Sequence, residues 1–129
     1  MPEICFWTQF DALPPADLFA LALQYRRSGN LPHAERLCRQ LTQVDPSHTE
    51  AWRELGWICL EMGKLAAAEA SFRQAIRLAP GNAASCSALG ITLAQQNKLD
   101  QAEQSFREAL RLDPNMPAAH NNLGLALIA

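Results

Sequence analysis

The sequence predicts an all-α solenoid of antiparallel helix pairs. Three observations lead to it. Segments 15–48, 49–82 and 83–116 align residue for residue with a period of 34. Several columns of that alignment hold one residue type: Pro46, Pro80 and Pro114; Ala34, Ala68 and Ala102; Leu21, Leu55, Leu89 and Leu123. Inside each period a left-handed-tolerant residue, Gly29, Gly63 or Asn97, stands two positions before Leu31, Leu65 or Leu99, which splits the period into two helical halves. Self-similarity at a fixed period of this size is the mark of stacked repeats, each too small to bury its own apolar face.

The elements follow in order, with helices expected over 15–28 and 31–44, 48–62 and 65–78, 82–96 and 99–112, and 116–129. Pro15 and Pro117 fall in first turns, where a missing N–H costs little. Ser47-x-x-Glu50 reads as a capping box, and Asn82 and Asn115 read as caps. Ala22, Gly56, Gly90 and Gly124 share a column and, with the alanine column, let paired helices approach closely. The proline column stops each second helix. The chain therefore divides into a segment 1–14, repeats 15–48, 49–82 and 83–116, and a further first helix at 117–129.

Composition narrows the function classes. The chain has 129 residues, 49% apolar and 19% charged, with a formal net charge of −2. Such a balance gives no general attraction to nucleic acid or to anionic lipid. No apolar run approaches the roughly 20 residues a bilayer needs, and no basic leader precedes an apolar core. A cytoplasmic protein is expected. Cys5, Cys38, Cys59 and Cys86 form no C-x-x-C pair and have no histidine at ligand spacing, so no metal site is expected. Cys38, Cys59 and Cys86 fall in columns that other repeats fill with apolar residues. They read as small buried hydrophobes. His33, His48 and His120 are too widely spaced to converge. Neither a P-loop nor a dinucleotide-binding glycine pattern is present, and no cofactor or catalytic residue is proposed.

Trp52-x-x-Leu55-Gly56, followed by Gly63, Ala68, Phe72, Ala75 and Pro80, resembles the tetratricopeptide repeat (TPR) signature. The third repeat matches at Leu89, Gly90, Ala102, Phe106, Ala109 and Pro114. The first departs from it: Cys38 stands in the phenylalanine column and Leu41 in the alanine column, a volume-conserving exchange. The tryptophan column reads Leu18, Trp52, Cys86, His120. The resemblance implies a right-handed superhelix whose first helices line a concave groove, the family's usual ligand surface. It also implies a protein-interaction scaffold, not an enzyme, that binds a peptide or helical segment of another protein.

On that reading the groove residues are Phe19, Leu23 and Arg26; Arg53, Trp57 and Glu61; Ser87 and Ile91; and Asn121, Asn122 and Leu125. One column is apolar throughout: Leu23, Trp57, Ile91, Leu125. Trp57 is the expected hot spot, and its truncation is expected to leave folding intact. Chaperone-binding members of the family clamp a peptide carboxylate with Lys, Asn and Arg; Arg53 and Asn122 stand near such places, but the full set is missing. An alternative reading is the substrate-recruiting arm of a larger enzyme. The run His120-Asn121-Asn122-Leu123-Gly124 resembles repeats that precede O-linked N-acetylglucosamine transferases. That family lines its groove with asparagines, whereas the column of Asn122 reads Ala20, Glu54 and Ala88.

Three further expectations concern the edges. Residues 1–14 carry Ile4, Phe6, Trp7, Phe10 and Leu13 and are expected to cap the first repeat, or else to enter the groove as a pseudo-ligand. In the last helix Leu123, Gly124 and Leu127 stand where a second helix would partly cover them, a strip expected to mediate self-association. The pairs Glu35–Arg39, Glu69–Arg73 and Glu103–Arg107, four apart with Glu first, are expected to form a solvated outer face.

Overall fold

A computed structural model describes residues 13–128, without the side chains of 118 and 125–128. The segment expected to cap the first repeat, and Cys5 with it, lies outside the described residues apart from its end; there Leu13 packs against the core. The side chain of Leu127, on which the expected self-association strip depends, likewise lies outside the description, as do those of Leu125 and Ile128.

Seven helices run through the described residues: α1 Pro15–Arg27, α2 Leu31–Val44, α3 Thr49–Glu61, α4 Leu65–Leu78, α5 Ala83–Gln95, α6 Leu99–Leu112 and α7 Pro117–Ile128. Each first helix packs on the second helix of its own repeat, and each second helix on the first helix of the next. The pairs therefore stack in chain order, as a solenoid does.

The turn between paired helices is built the same way three times. Gly29, Gly63 and Asn97 have φ of 86°, 79° and 63°. The following N–H reaches back five residues: Asn30 to the Tyr25 carbonyl at 2.8 Å, Lys64 to Cys59 at 2.8 Å and Lys98 to Leu93 at 2.9 Å. This left-handed cap satisfies carbonyls that the ended helix would leave bare.

Helix starts correct the sequence expectation by one position. His48, not Ser47, caps α3, its Nδ1 accepting from the Ala51 N–H at 3.1 Å. The Ser47 hydroxyl instead donates to Asp45 Oδ1 at 2.9 Å, inside the preceding turn. Asn82 caps α5 as expected, accepting from Ser85 N–H at 3.2 Å. Before α7 it is Met116, not Asn115, whose carbonyl takes the His120 N–H at 3.2 Å. The Asn115 N–H is turned to Asp113 Oδ1 at 3.2 Å.

The core runs through the repeat columns. Leu18, Ala22, Ala34, Cys38 and Leu41 are fully buried in the first repeat, and Ala51, Ile58, Cys59, Ala68 and Phe72 in the second. The Phe72 ring lies on Gly56 and the Phe106 ring on Gly90. In the first repeat Ala22 replaces that glycine, and Cys38 with Leu41 replaces the ring below it. All three are fully buried, so the exchange fills the same space.

The glutamate ladder does more than coat a surface. Glu35 is 8% exposed and accepts from Lys64 Nζ at 2.8 Å as well as from Arg39 Nη2 at 2.9 Å. Glu69 accepts from Lys98 Nζ at 3.1 Å, Gln96 Nε2 at 2.9 Å and Arg73 Nε at 2.9 Å. Each of these two carboxylates thus ties its own repeat to the next, a role that pairs four apart do not reveal. Glu103, bound to Arg107 at 2.8 Å, is more exposed and keeps the solvated character expected of it.

Candidate functional site

The first helices α3 and α5 touch each other, as do α5 and α7, and form one continuous layer. Its face carries most of the residues expected to line a groove. Leu23, Arg26 and Glu61 come together with Arg27 around a depression of about 370 Å³. Leu23, Trp57 and Ile91, from successive first helices, are half-buried, and Trp57 and Ile91 pack against the core with their inner sides. A stripe of partly exposed apolar surface therefore crosses three repeats. Leu125, the fourth member of the column, has no described side chain.

Trp57 stands edge-on to Phe72, ring centroids 5.4 Å apart at 78°. One side of the indole is thus held by the same ring that fills the space over Gly56. Against the expectation that truncating Trp57 leaves the fold untouched, the packing of a core ring rests partly on this contact.

Arg26 is not a free cation. Its Nη2 lies 2.7 Å from Glu61 Oε1 in the next repeat, and its Nη1 is paired with Glu54. Burial disfavours its charge, yet hydrogen bonds with Glu61 and then Glu54 outweigh burial and hold its pKa above the ordinary value. Arg26 and Glu61, both expected to meet a ligand, spend their charge on each other. Glu54, 14% exposed at its side chain, had no place among the expected site residues. Its column holds Ala20, Ala88 and Asn122, so no repeat pattern pointed to it.

The remaining expected residues separate into two groups. Arg53 is half-buried, Asn122 half-buried and Asn121 exposed, so all three present surface. Ser87 is 6% exposed and offers a ligand little. Phe19 is half-buried against the imidazole of His48, centroids 5.1 Å apart, which joins α1 to the start of α3.

None of the three described cysteines is activated as a nucleophile. Burial pushes the Cys38 thiol up to about 12, with Glu54 adding to the effect. Cys59 and Cys86 are raised first by burial and then by Glu35 and Glu108 respectively. All three are buried free thiols. Among the described residues no group of three or more His, Cys, Asp or Glu could hold a metal ion, and no helix is long and apolar enough to cross a membrane.

Residues 18–129 match the family described as the cilia and flagella-associated protein 70 middle TPR-like domain. The chain belongs to that family. The TPR resemblance carried by the 34-residue columns is therefore family membership, and the fold is the all-α, right-handed TPR solenoid.

Solved structures agree on the architecture of this TPR-like domain. A mutant O-GlcNAc transferase of Thermobaculum terrenum aligns at TM-score 0.80 and 32% identity, over 88% of this chain and 22% of the transferase. The domain thus spans about a fifth of that enzyme. The first TPR of Spaghetti (RPAP3), bound to an HSP90 peptide, aligns at TM-score 0.86 and 21% identity, over 88% of this chain and 90% of that one. The Yersinia enterocolitica type III secretion chaperone SycD, in complex with a peptide of the translocator YopD, aligns at 0.83 and 20%, over 88% and 92%. No curated protein sequence matches the chain.

Proposed function

We propose that this TPR-like domain is a protein-interaction scaffold that docks an apolar or amphipathic segment of a partner on the face of its first helices. The observation that carries the reading is the stripe Leu23, Trp57, Ile91, partly exposed on three successive repeats. A contiguous strip of this kind is the usual mark of an interaction surface. Stacked helices preform the face, so little ordering entropy is lost on binding. Two structural neighbours, the first TPR of RPAP3 and SycD, are bound to peptides, which lends support to a peptide-sized ligand.

Charge refines the ligand. With Arg26 held by Glu54 and Glu61, the cations left along the face are Arg27 and Arg53, for which no ion pair is formed among the described residues. A segment with apolar anchors flanked by one or two acidic residues fits this pattern better than a terminal carboxylate clamp. The test is affinity capture with the chain as bait, followed by titration of the captured partner's segment against Leu23→Asp and Ile91→Asp. Loss of binding in both, with helical content kept, is the expected result; unchanged affinity in both overturns the reading.

A second reading is the repeat arm of a larger glycosyltransferase. It is supported by the 32% identity to the Thermobaculum terrenum enzyme. Against it stands the column of Asn122, filled by alanine or glutamate in the other repeats. The length of the parent open reading frame and the presence of a transferase domain within it decide between the two.

A further inference from the structure

The junctions inside the solenoid show which residues of a repeat meet the repeat before it. Between the second and third repeats, Arg73 and Ile76 of α4 share a depression with Cys86, Leu89 and Leu93 of α5 and Ser105 of α6. The residues two periods before those of the third repeat are Leu18, Leu21, Tyr25 and Leu37. They form the leading edge of the first repeat, on α1 and α2. No helix stands before them among the described residues.

This edge has the composition and burial of a packed junction. Leu37 stands where the interior repeats have Ser71 and Ser105. It is 3% exposed and Leu18 is 0% exposed, although a bare edge would leave both leucines facing water. Leu21 and Tyr25 are half-buried against the core. Leu13, which leads into α1, packs against the same core. The outer face of a terminal repeat has no neighbouring repeat, so a repeat array needs a cover there.

We infer that residues 1–12 dock on this leading edge within the same molecule, in the place a preceding second helix would take. Three features match the segment to the edge. Phe10 and Phe6 run back from Leu13 at steps of three and four residues, the spacing of one apolar helical face, with Trp7 beside them. Leu18 to Tyr25 covers only about 10 Å of α1, and 12 residues can span up to about 40 Å. The segment carries Glu3 and Asp11 and no lysine or arginine, while Arg36 stands exposed on the edge at the place of Gln104. Docked there, the segment ends the solenoid and leaves the stripe of Leu23, Trp57 and Ile91 open to a partner.

The test is nuclear Overhauser spectroscopy on the full 129-residue chain. Contacts of the Phe6 and Phe10 rings with the methyl groups of Leu21 and Leu37 are expected. In a mixture of labelled and unlabelled copies they should not cross between molecules. Thermal melts supply a second, independent reading. Phe6→Ala with Phe10→Ala, and separately Leu37→Ala, should each lower the melting temperature, and all three together should lose less than the sum, because both sets remove the same contact. Val44→Ala, at a side chain on α2 that is 52% exposed, is the control and should add to the phenylalanine changes without coupling. The spectra of the unaltered chain stand whether or not any variant folds. The inference is overturned by ring contacts that fall on Leu23 or Trp57 instead, by contacts found only between copies, by the absence of such contacts, or by losses at Leu37 that simply add to those at Phe6 and Phe10.

Discussion

Gly56 lies so close under Phe72 that a Cβ on the glycine would stand 2.7 Å from the ring Cε1. Gly90 and Phe106 repeat the contact at 2.6 Å. Contacts this short cannot be absorbed by either partner, since the glycine is helical backbone and the ring is fully buried. Gly56→Ala should therefore lower stability by about 1–2 kcal/mol through overpacking, although alanine favours a helix by about 1 kcal/mol. Gly124→Ala is the control. It sits in the same column, yet nothing lies within 4 Å of the added carbon. That substitution should be neutral or gain up to about 1 kcal/mol. The triple change Gly56→Ala, Phe72→Cys, Ala75→Leu copies the packing of the first repeat and should recover much of the loss. Urea unfolding of the three variants checks all three statements.

The carboxylates that join repeats make stability depend on pH. Burial raises the pKa of Glu69, but hydrogen bonds from Gln96, Arg73 and Lys98 outweigh it and bring the value to about 2. Glu35 is lowered in the same way, with Lys64 and Arg39 outweighing burial. An unfolded glutamate titrates near about 4.3. The unfolded chain therefore binds protons first, and the stabilisation these groups supply is full above about pH 5 and drains away as pH falls toward about 2. Glu69→Gln should lower the melting temperature at neutral pH and flatten its decline between pH 5 and pH 2, converging on the parent at the acid end. Glu103→Gln removes one exposed pair four apart and should cost only about 0.3–0.5 kcal/mol at neutral pH. A Glu69→Gln curve parallel to the parent's across the acid range would show that the tie between repeats is not formed in solution.

What could be read from the sequence was what repeats. The proline, alanine and leucine columns placed every helix of the described residues to within one or two positions, because each column records a backbone or packing need that recurs every 34 residues. Misreadings arose where chemistry is not periodic. Ser47 and Glu50 form a plausible capping pair, yet the column of Asn82 puts the cap at His48. Arg26 looked like a ligand-binding cation because nothing in one repeat shows that Glu54 and Glu61 of the next will reach it. Ser87 was assigned to the surface by helical spacing alone, but tight stacking in this region buries it.

The helix-ending residues separate backbone strain from packing. No atom lies within 4 Å of a carbon added at Gly63, so Gly63→Ala meets no clash. What it meets is a φ of 79°, which costs a residue with a Cβ about 1–2 kcal/mol. Asn97 already carries part of that cost at a φ of 63°. Asn97→Gly should therefore raise the melting temperature, and Gly63→Ala should lower it, with no change in helical content measured by circular dichroism. A destabilising Asn97→Gly would mean that the asparagine side chain contributes more than its backbone conformation costs.

Trp57 serves the fold and the proposed groove at once, and its variants must separate the two. Its inner edge meets Phe72 with centroids 5.4 Å apart. Its remaining surface is partly exposed between Leu23 and Ile91 of the neighbouring repeats. Trp57→Ala removes both contacts and should cost about 2 kcal/mol of stability, less than the roughly 3–5 kcal/mol seen for a wholly buried ring. A fall in partner binding by that variant is then ambiguous. Trp57→Phe keeps an aromatic edge against Phe72 and loses the outer part of the indole, so it should cost less than about 1.5 kcal/mol in folding. If the outward surface of Trp57 anchors a partner, this milder variant should still weaken binding by about tenfold, equivalent to about 1.4 kcal/mol. Calorimetric titration of both variants with the captured segment, at a temperature where each is fully folded, gives the answer. Binding to Trp57→Phe that equals the parent's would leave Trp57 as a core residue alone and move the anchor to Leu23 or Ile91.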